Sequence, residues 1–128
     1  MTNRTASKFL DSSAWLAYYF GEQKRARDII ESQVPLSVSI LSLYEIERKL
    51  SKLEYPSKAI EEFLEFLQQR ATPCPLTPLI CKAAVALSIK HKLSAMDSLI
   101  FSTAHVDGQV FVTGDLDFKG LNGVEFIS

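Results

Sequence analysis

The stretch "KFLDSSAWLAYYF", residues 8–20, holds the transition on which the fold turns. Lys8 to Leu10 make a short, largely apolar strand that runs straight into Asp11. Ser12 and Ser13 then open a helical segment that should break at Gly21, a residue suited to ending a helix. A strand that feeds a helix through an aspartate is the opening of an alternating β/α chain, and the residues that follow repeat the alternation. A charged helix, "EQKRARDIIES", turns Ala26, Ile29 and Ile30 inward, and "VPLSVSI", residues 34–40, is β-rich. Next comes "LSLYEIERKLSKL", with Leu43, Ile46, Leu50 and Leu53 along one helical face. Pro56 marks the first turn of a further helix, whose stripe is Ile60, Phe63, Leu64 and Leu67.

The second half continues the pattern. "ATPCPL" is a short strand whose prolines place it at a sheet edge, because proline cannot donate to a ladder. Thr77–Pro78 caps a helix running to about Lys90, and "LSAMDSLIFSTA" opens another that reaches Val106. Asp107–Gly108 turns the chain into the strand "QVFVT", "GDLDF" reads as a loop, and "VEFI" is a last short strand. Strands alternating with helices of this length imply an α/β fold with a central parallel sheet of four to five short strands. A single domain over residues 1–128 is expected, with residues 1–7 as a flexible polar lead.

Composition narrows the function classes. With 47% hydrophobic and 23% charged residues, the chain can build a core. No apolar run approaches the ~20 residues of a membrane span, and "MTNRTASK" lacks the apolar stretch of a signal peptide. Cys74 and Cys81 are too few for a disulfide scaffold and read as free thiols in a reducing cytoplasm. His91 and His105 have no partner of the kind that builds a catalytic dyad and read as surface or packing residues.

Four acids stand out, and each has an ordinary explanation. Asp11 suits a helix N-cap. Ser42 and Glu45 match a capping box, as do Ser94 and Asp97. Asp115 lies in Thr113–Gly114–Asp115, where a turn accepts Gly and Asp for backbone reasons. Taken together they share one edge. In an open parallel sheet ligands bind beyond the carboxyl ends of the strands, where Asp11 and Asp115 sit directly. Glu45, on the helix after the second strand, rises from the same edge. Asp97 reaches it if its helix runs antiparallel to the strands. Four such carboxylates would raise one another's pKa values unless a cation sat among them. No His or Cys lies near them, so hard Mg²⁺ or Mn²⁺, one or two per site, is a better match than zinc. With those four acids set aside, the net charge of −1 becomes +3, so a near-neutral total can hide a mildly basic surface. Such metals activate water for phosphodiester hydrolysis without a side-chain nucleophile.

"FLDSSAWLAYYF", "SLYEIERKL", "LSAMDSLIFSTA" and "VFVTGDLDF", in this order, resemble the PIN-domain nucleases, most closely the small VapC-like toxins of toxin–antitoxin pairs. The resemblance implies a three-layer α/β/α sandwich and a Mg²⁺- or Mn²⁺-dependent endoribonuclease with Asp11, Glu45, Asp97 and Asp115 around the metals. It makes Asp117 a further ligand through water, and Ser13 and Thr113 supporting hydroxyls. It also implies an RNA substrate, a cognate antitoxin and a homodimer. Independently of it, Arg48, Lys49 and Lys52 follow Glu45 at +3, +4 and +7 on the same helical face, suited to phosphates flanking the cut. The "EQKRARDIIES" and "SKAIEEFLEFLQQR" helices and the aromatic "AWLAYYF" suggest apolar surface for a twofold contact. The alternatives are a non-catalytic metal- or RNA-binding module and a nuclease of RNA processing. A phosphoacceptor receiver fails, because Asp11 stands without a paired acid and "ATPCPL" holds no aspartate.

Overall fold

The computed structural model describes residues 7–127, so the polar lead, apart from Ser7, lies outside the described residues. The strands are β1 (Lys8–Leu10), β2 (Leu36–Ser39), β3 (Ala71–Cys74), β4 (Val110–Thr113) and β5 (Val124–Phe126). All neighbours pair in parallel, in the order β3-β2-β1-β4-β5. The helices are α1 (Ser12–Phe20), α2 (Lys24–Ile30), α3 (Ile40–Lys52), α4 (Ser57–Arg70), α5 (Pro78–His91) and α6 (Ala95–Val106), with a 3₁₀ turn at Leu116–Phe118. The proline-rich strand is indeed at an edge. Gly21 ends α1 at φ 71°, a left-handed conformation that glycine adopts without strain.

Strand alternation sorts the core into two layers. Leu10, Val38 and Val112 face α1–α4, joining Trp15, Ile30, Ile46, Leu50, Phe63 and Leu67 in one cluster. Phe9 and Phe111 face the other way, with Ile100, Phe101 and Phe118. The β1–β4 register sets Phe9 opposite Phe111, and their rings stack at 5.9 Å. Phe101 and Phe118 then close on Phe111 at 5.1 and 4.9 Å. The product is an α/β/α sandwich with its sheet buried on both faces. Arg70 fastens α4 to the end of α2: its guanidinium donates to the carbonyls of Ile30 (2.6 Å), Val34 (2.9 Å), Ser32 (3.1 Å) and Ile29 (3.4 Å). Ile29 and Ile30 close the last turn of α2, and Ser32 and Val34 belong to the segment leading to β2, so one guanidinium satisfies carbonyls on both sides of the helix end.

Two details differ from the sequence reading. Pro56 occupies the cap position before α4, one residue ahead of its first turn. "GDLDF" is ordered as the 3₁₀ turn. The aromatic residues of α1 and α4 pack on one another and on Tyr55 within the chain, Tyr19 on Phe63 at 4.5 Å and Tyr55 at 5.6 Å, and Tyr18 on Phe66 at 6.0 Å, while Tyr55 and Phe66 keep an exposed side.

Candidate active site

The strand order places a switch point between β1 and β4. From β1 the chain builds outward to β2 and β3, then returns to the other side of β1. The helices flanking such a point diverge and leave a crevice beyond the strand ends. Asp11 follows β1 at this crevice, and Asp115 stands two residues beyond the end of β4.

Asp11 is almost fully buried, at 5% exposure. Its Oδ1 caps α1 by accepting from the Ala14 N–H (3.0 Å) and also accepts from Ser13 Oγ (2.6 Å). Its Oδ2 accepts from Thr113 Oγ1 (2.6 Å), a contact fixed by the neighbouring β1 and β4. Thr113 Oγ1 in turn accepts from the Asp115 N–H (3.0 Å), and Ser13 Oγ from the Gly114 N–H (2.9 Å). Two hydroxyls thus knit the start of α1 to the loop after β4. Gly114 lets the chain pass close to the end of β5, since a Cβ there would lie 3.1 Å from the Ile127 carbonyl oxygen and press that backbone back by a few tenths of an ångström. Burial pushes the Asp11 carboxyl up from 3.8 to about 6; the bonds from Ser13, Thr113 and Ala14 pull it down, and the charge of Asp115 adds to the rise.

Asp97 enters from the first turn of α6. Ser94 is the cap, accepting from the Asp97 N–H at 3.2 Å, and its hydroxyl also favours the ionised Asp97 carboxylate. The Asp97 pKa is raised, first by burial and next by the charge of Asp115; the Ser94 bond opposes the rise, and Glu45 and Asp117 contribute to it. Asp115 caps the 3₁₀ turn through Oδ1, which accepts from the Asp117 N–H at 2.9 Å. One carboxylate oxygen from each of Asp97, Asp115 and Asp117 falls within 4.8 Å of the others.

Glu45 is not the capping-box partner its spacing with Ser42 suggests. Ser39 caps α3 instead, accepting from the Leu41 N–H at 3.0 Å, and Ser42 lies buried inside the helix. Glu45 Oε1 accepts from Ser12 Oγ at 2.7 Å, which points the carboxylate across α1 towards the same crevice. A groove of about 720 Å³ leads away from it, lined by Ser12, Ser13 and Leu16 of α1, Met96 of α6, and Tyr44, Arg48, Lys49, Lys52 and Leu53 along α3.

A family model for the PIN domain matches residues 8–124. The chain belongs to the PIN-domain family. Solved PIN-fold chains from toxin–antitoxin pairs have the same architecture. One, from a Klebsiella pneumoniae toxin–antitoxin complex, is 21% identical and aligns with a TM-score of 0.76 over 92% of this chain and 95% of its own. VapBC2 from Rickettsia felis, bound to a DNA fragment from its promoter, gives 0.79 at 15% identity over 95% and 99%. Mycobacterium tuberculosis VapC20, a toxin that cleaves the sarcin–ricin loop, gives 0.74 at 21% identity over 94% and 98%. At these identities the likeness is one of fold. No curated protein matches the sequence significantly.

The fold gathers three acids closely, and leaves Asp11 and Glu45 outside that group but near enough to feel the charge of Asp115 and to act on Asp97 respectively. Asp97, Asp115 and Asp117 gather at the mouth, while Asp11 lies behind them beneath Thr113 and Glu45 faces them from α3. The donors are all oxygen, which suits a hard divalent cation. Ser12 is a site residue that sequence reading passed over. Its only signal is adjacency to Asp11, and its role appears once α1 and α3 are known to touch.

Proposed function

We propose that this PIN domain is a Mg²⁺- or Mn²⁺-dependent endoribonuclease, the toxin of a toxin–antitoxin pair, working in the cytoplasm. The observation that carries the reading is the crowding of Asp97, Asp115 and Asp117 oxygens within 4.8 Å at the sheet's switch point, backed by buried Asp11. Like charges held this close repel strongly, and a cation relieves the repulsion. Asp97, Asp115 and Asp117 would hold the ion or ions, with Asp11 and Glu45 completing the set. A bound divalent ion supplies an activated water and charge stabilisation for phosphodiester hydrolysis.

The chain's own side chains prepare for that chemistry. Ser13 and Thr113 donate to Asp11 and favour its ionised form against the cost of burial. Ser12 orients Glu45, which is placed to accept a proton or hold a water at the cluster. Arg48, Lys49 and Lys52 offer positive charge along the adjoining groove for the flanking phosphates. The PIN-fold toxin chains of known pairs support an antitoxin as partner. A homodimer is consistent with α5, where Leu79, Val85 and Ile89 remain exposed beside a groove of about 390 Å³ against α6.

Asp97→Asn tests the reading. The change keeps side-chain shape and capping capacity but removes a ligand charge. Mg²⁺-dependent RNA cleavage should fall by orders of magnitude, while a thermal melt in EDTA shows stability unchanged or raised because one repelling carboxylate is gone. A purely structural Asp97 gives the opposite pairing: full cleavage, with stability lower by about 0.5–2 kcal/mol. Full activity in this variant refutes the assignment.

A further inference from the structure

Three of the four tyrosines are accounted for by packing: Tyr18, Tyr19 and Tyr55 stand in ring contacts within the aromatic cluster. Tyr44 is different. The residue is 57% exposed, and among the described residues its side chain takes part in no ring pair and no hydrogen bond. It lies on α3 next to Glu45 and lines the same groove, together with the apolar side chains of Leu16 and Leu53. Arg48 follows one turn on and Lys52 a further turn, each four residues apart, which is a rise of ~6 Å per step along the helix. Lys49 adds a third positive charge to the groove.

An exposed aromatic ring beside a row of cations matches one chemistry well. Single-stranded nucleic acid presents flat, apolar bases on a regularly spaced anionic backbone. Proteins grip it with stacking rings and a basic track, and stacking tolerates any base because every base has a π-face. A protein segment would fit the apolar lining equally well, but it would give no reason for three cations in a row beside an acidic centre. A duplex fits poorly, because its bases are stacked on one another and unavailable to a side chain.

We propose that Tyr44 is a stacking platform for an unpaired base of single-stranded RNA next to the scissile phosphate, with Arg48, Lys49 and Lys52 tracking the phosphates that lead away from it. The inference rests on the ribonuclease reading of the acid cluster and adds to it the residue that positions a base and the direction from which the strand approaches. Tyr44 is a positioning residue: it holds the base so that the neighbouring phosphate lies over the acids.

The test uses the full chain and short single-stranded RNAs, each carrying one 2-aminopurine, whose fluorescence is quenched by stacking. Binding is measured with Ca²⁺ in place of Mg²⁺, and cleavage separately with Mg²⁺. Tyr44→Phe and Tyr44→Trp should retain affinity and quenching. Tyr44→Ala and Tyr44→Leu should lose the quenching at one position and about 5- to 100-fold in affinity, with cleavage lost through KM more than kcat. The double variant Arg48→Ala/Lys49→Ala should keep the quenching but flatten the salt dependence of binding by about 1.4 in log–log slope. Because Tyr44 is exposed, the variants should melt like the parent. Tyr44-dependent quenching in a protein that cleaves no RNA supports the platform and sinks the nuclease reading alone. Cleavage and binding by Tyr44→Ala that match the parent overturn the platform, and give the groove's apolar surface to a protein partner instead.

Discussion

The metal-free protein should become less stable as pH rises from about 4 to about 6, and Asp11 should be the main cause. Its carboxyl is buried and its pKa stands at about 6 against 3.8 when exposed. Between those values the native state holds a proton that the unfolded chain has released. Stability therefore falls with rising pH across that window, and the full penalty is present above it. A rise of this size is worth about 3 kcal/mol, of order one third of a typical domain's stability. Asp97 is shifted in the same direction, whereas the Glu125 carboxylate, held down by Arg25 and Lys8, works the other way. The Asp11 contribution is isolated by subtracting Asp11→Asn, whose amide does not titrate. Urea denaturation in EDTA at pH 4.5 to 7.5, followed by fluorescence of the one tryptophan, buried Trp15, gives both curves. The parent should lose about 2 kcal/mol relative to the variant over that range, the rest of the penalty having developed below pH 4.5. Altered hydrogen bonds in the asparagine protein shift the difference by a constant and leave its slope intact. At pH 7.5, Mg²⁺ at a hundred times its Kd should return about 2.7 kcal/mol to the parent and much less to the variant. A difference that is flat, or that grows in the parent's favour with pH, refutes the argument that burial dominates at Asp11.

Two further outcomes follow from the fold. Arg70→Met should destabilise the protein by about 2–4 kcal/mol in urea denaturation, since it orphans carbonyls at the end of α2; Arg70→Lys should recover part of the loss. Light scattering at micromolar concentration should give twice the 14.3 kDa chain mass, and Val85→Asp/Ile89→Asp should return it to that of the single chain. A parent that stays monomeric would remove the dimer.

How much of this was legible in the sequence depends on the range of the interaction. β1 begins and ends where the run "KFLD" says, because apolar strand and capping aspartate are local signals. The edge position of β3 follows from its prolines for the same reason. Strand order is another matter. That β4 lies beside β1 is a contact between segments a hundred residues apart, and Thr113 reaches Asp11 only because of it. The Glu45 cap failed because two serines compete for the start of α3. Ser39, at the end of a buried strand, takes the cap, which leaves Ser42 in the core and Glu45 available to Ser12. Leu53 fits the apolar stripe of α3 by spacing, yet half of it is exposed, because α3 ends there and the residue borders the groove. The ring pairs between α1 and α4 were not legible either, because they join segments more than forty residues apart.

The ordinary explanations of the acids and the functional one are compatible. Asp11 caps α1, Asp97 sits in the first turn of α6, and Asp115 caps the 3₁₀ turn. In each case a helix N-terminus meets the carboxylate with free N–H groups and a positive dipole end, which stabilise negative charge by about 0.3–1 kcal/mol. That offsets part of the mutual repulsion that would otherwise spread the cluster apart. Capping also fixes direction. Asp115 spends Oδ1 on the Asp117 N–H and leaves Oδ2 without a hydrogen bond among the described residues. A parallel sheet delivers strand ends and helix starts to one edge, so caps there converge as a consequence of topology. The fold thus supplies three anchored carboxylates before any cation binds, of which Asp97 and Asp115 belong to the crowded group and have part of their repulsion offset at helix starts. Removing the charge at one of them by an isosteric amide gives up part of a cap and relieves part of the repulsion, so the protein should stay folded in a thermal melt and its loss of cleavage should be one of chemistry.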